Sequence, residues 1–388
     1  AAWGSAHPGT SALVWRLDAT GPVPVAAFRP DVPRLPASVM KLVTSTGALL
    51  SLGPDHRFET RLYGGVNTVL DGRVLRGPVY VVGGGDPMLS TPDYSRAVLD
   101  GRGSRLTDLV RPLRALGVRL VRGPVVVDET VFDAQRTGPQ WKASYVSECP
   151  PLSGIVVNQN RLGNGGNVGS PAVAAAQRLR QVMRSMGVRQ AGPARGGHAP
   201  ARARLLATAT SVPLRTILGV MNRNSDNFIA ETLTKDVGAA AGRGTTAAGT
   251  AHTAELLDEL GILATEDRLV DGSGLSRANR LTATTLVRLL ATADADPTWG
   301  TALLSSLPRG GEGTLRRRFK GAIAPRVRAK TGYINGVSSL AGIATSPSGT
   351  RYAFALLMND WDITGARATQ DAVVTLLARG AGDTLAPL

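Results

Sequence analysis

The sequence predicts an α+β fold in which the two ends of the chain build one sheet, helices fill the middle, and a smaller α/β domain is inserted after the first helix. Three observations carry this. Strand-like alternation opens the chain at residues 11–28, three strand-like runs close it at 326–358, and residues 57–210 differ in character from both.

In order, Ala12-Leu13-Val14-Trp15-Arg16-Leu17 and Val23-Pro24-Val25-Ala26-Ala27-Phe28 flank the turn-forming Asp18-Ala19-Thr20-Gly21-Pro22, which reads as a β-hairpin. A helix follows from Ser38 to a break at Gly53-Pro54. Next, strands read at 58–63, 73–82, 119–127 and 202–209, with helices at 104–116 and 171–187. Gly83-Gly84-Gly85-Asp86-Pro87 reads as a tight turn rather than a phosphate cradle, and 163–169 and 190–200 as loops. Helices return at 211–235, broken at Asn222-Arg223-Asn224-Ser225, and again at 251–260 and 282–292, with a turn at Asp271-Gly272-Ser273-Gly274-Leu275. Strands at 326–331, 337–345 and 351–358 and a helix at 364–379 finish the chain, with Ser346-Pro347-Ser348-Gly349 turning between the last two strands. No internal repeat is evident. The domain reading is 1–57 with 208–388 as one unit and 58–207 as the insert.

The 388 residues are 43% hydrophobic and 19% charged, an ordinary globular balance. The net charge of +15 is almost all arginine, since lysine occurs only at 41, 142, 235, 320 and 330. Such a balance favours anionic neighbours. Aromatics are only 4%, and the dense basic groups are Arg202/Arg204 and Arg316-Arg317-Arg318 with Arg326 and Arg328, which argues against sequence-specific nucleic-acid binding. Cys149 is the single cysteine, so no intrachain disulfide forms, and His7, His56, His198 and His252 lack metal-ligand spacing. No metal or cofactor is expected. No stretch approaches the ~20 apolar residues of a membrane span, and no signal peptide is visible. The opening Ala1-Ala2-Trp3 reads as a mature or trimmed start.

Chemistry concentrates in three short motifs. Ser38 and Lys41 stand three apart on one helical face, where a deprotonated amine can activate a serine hydroxyl. The helix N-terminus favours negative charge developing there. Ser225-Asp226-Asn227 falls at a helix break, and Lys330-Thr331-Gly332 on a late strand. This set in this order is that of class A β-lactamases and penicillin-binding proteins. In that chemistry Ser38 attacks a carbonyl to give an acyl-enzyme and Lys41 takes its proton. Ser225 relays a proton to the leaving amine beside Lys330, and Asn227 orients Lys41 and a substrate amide. Thr331 holds a terminal carboxylate, helped by the Lys330 charge, and Gly332 allows a substrate backbone close to the strand. The backbone N–H groups of Ser38 and Tyr333 form the oxyanion hole.

The whole chain resembles the D-alanyl-D-alanine carboxypeptidase/endopeptidase family, the low-molecular-mass class C penicillin-binding proteins. Further segments in family order carry the resemblance: Tyr80-Val81-Val82-Gly83-Gly84-Gly85-Asp86-Pro87, Val157-Asn158-Gln159-Asn160-Arg161, Asp271-Gly272-Ser273-Gly274-Leu275-Ser276 and Gly313-Thr314-Leu315. It implies a serine β-lactamase/penicillin-binding-protein transpeptidase-like domain, an antiparallel sheet flanked by helices. It also implies hydrolysis of the D-Ala-D-Ala bond of peptidoglycan stem peptides, with cleavage of cross-links as a further expected activity, through an acyl-enzyme on Ser38 that β-lactams also form. The expected location is outside the cytoplasmic membrane, among anionic wall polymers. A short Gly/Asn loop follows Leu162 where many members carry another β-rich domain, so no second full-size insert is expected. The rival readings are a β-lactamase, for which neither Glu231 nor Glu312 is marked as a deacylating base, and a non-catalytic wall scaffold, which would be expected to carry a broken motif.

Overall fold

A computed structural model describes residues 7–162, 166–386 and 388; the opening Ala1-Ala2-Trp3 and the start of the 163–169 loop lie outside the described residues. The main sheet runs Val327–Ile334, Val337–Thr345, Arg351–Asn359, Thr10–Asp18, Gly21–Phe28, every neighbour antiparallel. Register from Thr10 opposite Met358 to Leu17 opposite Arg351 joins the chain's beginning to its end.

Period-two alternation gives this sheet two buried faces. Leu13, Ala341, Ile343, Ala353, Ala355 and Leu357 point into the helical layer. Ala12, Val14, Leu340, Tyr352, Phe354 and Leu356 meet Val374, Leu377 and Ala378 of the C-terminal helix Ile363–Ala378. Covering both faces explains the almost unbroken apolar run at 352–358.

The helix Met40–Leu52 is enclosed, its first ten residues all buried. Helices Leu214–Asn224, Asn227–Ala240, Ala283–Ala295 and Gly300–Ser306 surround it. Capping fixes where several helices begin: Asp226 accepts from Ile229 N at 2.9 Å, Thr245 from Ala248 N at 3.0 Å and Thr282 from Thr285 N at 3.0 Å. The Thr245 cap starts its helix at Thr246, earlier than the 251 read from periodicity.

Residues 59–210 carry a five-stranded and a four-stranded sheet that share three chain crossings, besides the two-stranded pairing of Leu89–Ser90 with Ser104–Arg105. The four-stranded one orders Arg189–Ala191, Leu120–Arg122, Val74–Arg76, Val69–Asp71. The five-stranded one orders Ala194–Gly196, Val125–Asp128, Val79–Val82, Glu59–Gly64, Arg204–Thr210. The chain passes between them at Gly77-Pro78, Gly123-Pro124 and Gly192-Pro193. The expected strands 73–82 and 119–127 are therefore each two strands, and the expected loop 190–200 is a third such pair. The corners stack, with Gly77 N donating to Arg122 O and Gly123 N to Ala191 O, both at 3.0 Å. A side chain on Gly123 would collide with the Gly77 carbonyl, and one on Gly192 with that of Gly123. Proline supplies the residue that leaves the ladder without an orphaned donor. Helix Pro171–Ser185 seals this core with Ala172, Ala175, Ala176, Leu179, Val182 and Met183.

Two more readings change. The helix expected at 104–116 is a bridge at Ser104–Arg105, a 3-10 turn Leu106–Leu109 and a short helix Arg111–Ala115, because Pro112 can occupy only a first turn. Residues 83–86 are not themselves a turn; the turn falls at 87–88, and the glycines press against the backbone of Gly154 and Glu59.

Candidate active site

Ser38 sits in the 3-10 turn Ala37–Val39 that leads into the buried helix. Ala37 is wholly buried with φ of +47°, a strained conformation for alanine held by its surroundings. One turn on, Lys41 is fully buried with its Nζ 3.0 Å from Ser38 Oγ. Lys41 also donates to Asn227 Oδ1 and to the Ser273 carbonyl, each at 2.7 Å. A neutral amine has two N–H bonds and one lone pair. As an ammonium Lys41 donates to Ser38 Oγ as well; in the neutral amine the Asn227 and Ser273 acceptors would take both N–H bonds and leave the lone pair for the Ser38 hydroxyl. Burial pulls the Lys41 pKa down to about 8, against the opposing pull of Glu231, Asp271 and Asp226.

Ser225 closes helix Leu214–Asn224 in the left-handed conformation, φ 57 and ψ 41, and Asp226 then caps the next helix. This reversal puts Asn227 on Lys41 and Ser225 on Lys330, whose Nζ lies 2.9 Å from Ser225 Oγ and donates to the Thr331 carbonyl at 2.8 Å. Lys330 is also fully buried, and burial followed by the Lys41 charge holds its pKa well below the usual amine range.

Lys330, Thr331, Gly332 and Tyr333 lie on the edge strand of the main sheet. Such an edge offers unpaired backbone groups to an extended peptide. The reason for Gly332 differs from the expected approach of a substrate backbone. A Cβ there would stand 2.7 Å from the Pro36 carbonyl oxygen and 3.1 Å from the Ser38 amide nitrogen. Glycine therefore lets the strand close on the serine turn, setting the Ser38 and Tyr333 segments side by side.

Several supporting residues carry no motif. Buried Glu231 accepts from Gly272 N at 3.1 Å and Ser273 N at 2.7 Å, fixing the carbonyl that Lys41 donates to. Burial, then Asp271, raises its pKa. Asp271 ties the same loop through Gly274 N, Ser276 N and Asn279 Nδ2, and accepts from Trp141 Nε1 at 2.8 Å. Gln159 donates to Asp226 at 2.7 Å, and Asn227 Nδ2 to the Glu148 carbonyl at 3.4 Å. Cys149 is buried beside Phe228 and Leu275, its thiol pKa pushed well up by burial. Among the described residues no group of three or more His, Cys, Asp or Glu is placed to hold a metal ion.

A sequence profile of the D-Ala-D-Ala carboxypeptidase 3 (S13) family matches residues 14–168 and 153–380. The chain belongs to this family. It is 34% identical over 361 residues to a carboxypeptidase of Mycobacterium tuberculosis, covering 89% of this chain and 76% of that protein. It is 32% identical over 432 residues to the D-alanyl-D-alanine carboxypeptidase of an Actinomadura species, covering 90% and 77%. That alignment is longer than the present chain, so the Actinomadura enzyme carries residues this one lacks. The fold matches the crystal structure of penicillin binding protein 4 from Haemophilus influenzae with a TM-score of 0.82 at 22% identity, over 97% of this chain and 98% of that one.

In this peptidase a cleft of about 500 Å³ opens beside the serine, lined by Ser38, Ser225, Thr331 and Tyr333 together with Arg316, Arg317, Arg318 and Arg367. A smaller cavity of about 300 Å³ lies across Tyr333, between Tyr145, Glu148, Leu275 and Ile334. Every residue singled out in the three motifs lies in this one region.

Proposed function

We propose that the chain is a serine-type D-Ala-D-Ala carboxypeptidase that hydrolyses peptidoglycan stem peptides through an acyl-enzyme on Ser38 and is inhibited by β-lactams. The hydrogen-bond pattern of Lys41 carries this reading: once the amine is neutral, Asn227 and Ser273 take both its N–H bonds, which leaves the lone pair for Ser38, 3.0 Å away. Lys41 takes the Ser38 proton as Oγ bonds to the carbonyl carbon, and the Ser38 and Tyr333 amides receive the oxyanion. Ser225, beside Lys330, passes a proton to the leaving nitrogen as the C–N bond breaks. Thr331 holds the terminal carboxylate, Gly332 keeps the strand against the serine turn, and Asn227 orients the substrate amide. Water then frees Ser38 by the reverse route.

Residues 1–57 and 208–388 are the peptidase unit in this reading and 58–207 a single insert, supported by separate sheets; strand Arg204–Thr210 carries the insert's sheet past 207, and Met88 and Leu99 of the insert pack into the core of the peptidase unit. The 129–160 segment of the insert docks on the site through Trp141, Glu148 and Gln159. The protein acts outside the cytoplasmic membrane, where its basic surface can meet anionic wall polymers. No described helix is long and apolar enough to cross a membrane. Glu231 is occupied with loop amides and Glu312 is exposed, which gives the β-lactamase reading no deacylating carboxylate. Release of D-alanine from a peptide ending in D-Ala-D-Ala tests the proposal. The parent should release it and Ser38→Ala should not; release by both, or by neither, contradicts it.

A further inference from the structure

The cleft beside Ser38 is asymmetric in charge. It contains Ser225 and Thr331, the residues placed at the leaving amine and its carboxylate, so it is the leaving-group side of the site. Its lining also holds Arg316 and Arg317, both exposed, with Arg318 and Arg367. Arg318 is committed to Asp371 at 2.7 Å and Gln370 at 3.1 Å, and Asp371 is the only carboxylate lining the cleft. Arg316, Arg317 and Arg367 form no ion pair among the described residues. Arg367 lies over the Tyr333 ring, 5.5 Å from its centroid, which holds its head at the cleft mouth. Thr314 Oγ1, in the same lining, is buried without a hydrogen-bond partner. The cavity on the other side of Tyr333 has Glu148 and no cation in its lining.

A single D-alanine offers this cleft one carboxylate, which Thr331 is placed to hold in the proposed mechanism. Three guanidiniums without an ion pair and an unpaired hydroxyl in the same lining fit a second carboxylate, since planar guanidinium forks suit carboxylates and lose little on binding them. We infer that the Arg316–Arg317–Arg367 wall selects leaving groups bearing a second carboxylate. Such groups are acidic D-amino acids. The inference rests on the carboxypeptidase reading and names the leaving-group class it favours.

The test compares kcat/KM on two peptides sharing one acyl part, ending in D-Ala-D-Ala or in D-Ala-D-Glu, with penicillin acylation of Ser38 measured alongside. The parent should favour the D-Glu peptide by about 10-fold at low salt, with the preference shrinking as salt screens the cleft. Arg316→Glu/Arg317→Glu should lose that preference and gain on a D-Ala-D-Lys peptide, a gain no misfolded variant could give. Parent hydrolysis of both peptides with no preference overturns this inference and leaves the carboxypeptidase reading standing. No hydrolysis of either and no acylation overturns both.

Discussion

The Glu231 carboxylate accepts the Ser273 amide hydrogen at 2.7 Å, and the Ser273 carbonyl in turn accepts from Lys41 at 2.7 Å. A carboxylate with no place in any motif thus positions the amine proposed as the base. Glu231→Ala leaves the Gly272 and Ser273 N–H groups buried and unpaired, a cost of about 1–3 kcal/mol each. It should slow penicillin acylation of Ser38 by about 10-fold or more, as expected when a site moves by about 1 Å. Glu231→Gln keeps an acceptor and should retain most of the rate. Equal rates in parent and Ala variant would refute the positioning role.

Burial brings the Lys41 pKa down to about 8. The deprotonated amine is the active form, so acylation should climb from pH 6 to 9 with a midpoint near 8 and then level off. Lys41→Arg should not acylate, because a guanidinium stays charged across that range. Stopped-flow acylation against pH decides this; a profile that is flat or falls over pH 6–9 would contradict the assignment.

Gly332→Ala would bring a methyl to 2.7 Å from the Pro36 carbonyl and 3.1 Å from the Ser38 amide nitrogen. The strand must then retreat from the serine turn, at a stability cost of about 1–3 kcal/mol. Because the two proposed oxyanion donors come from the two sides of that contact, acylation should drop about 100-fold. Unchanged acylation with unchanged melting temperature would count against this packing.

Asp236 and Asp86 are both buried carboxyls where the insert meets the helical layer. Burial, then Asp86, raises the Asp236 pKa well above normal, and burial brings Asp86 up to about 6. The sign is that of an acid whose pKa is raised by folding. Stability is intact below the unfolded value near 3.8 and falls as pH rises, since the unfolded chain ionises first. Asp236→Asn should therefore match the parent at pH 4 and exceed it at pH 8, by about 1 kcal/mol or more. Thermal melts at the two pH values measure it, and a variant less stable at pH 8 would contradict the account.

The parts legible in sequence were those set by local spacing. Ser38 and Lys41 share a face because they stand three apart on a helix, and the Ser225 break and the Lys330 strand each declare themselves within a few residues. The Gly-Pro corners escaped notice because Val74-Leu75-Arg76-Gly77-Pro78-Val79-Tyr80 keeps strand-like composition straight through the corner. Glu231, Asp271 and Trp141 were illegible for another reason. Their roles depend on burial and on contacts made across long stretches of chain, as in the Trp141 bond to Asp271. At Gly332 the sequence points to a substrate backbone approaching the strand, and the structure adds a close approach by the protein's own serine turn, which no local spacing reveals.

The central claim is that Ser38 is the acylated nucleophile. Intact-mass measurement after incubation with benzylpenicillin, on the parent and Ser38→Ala, tests it most directly. The parent should gain the mass of one penicillin as a persistent adduct and the variant should gain nothing. An adduct on both proteins, or no adduct on the parent, would contradict the account.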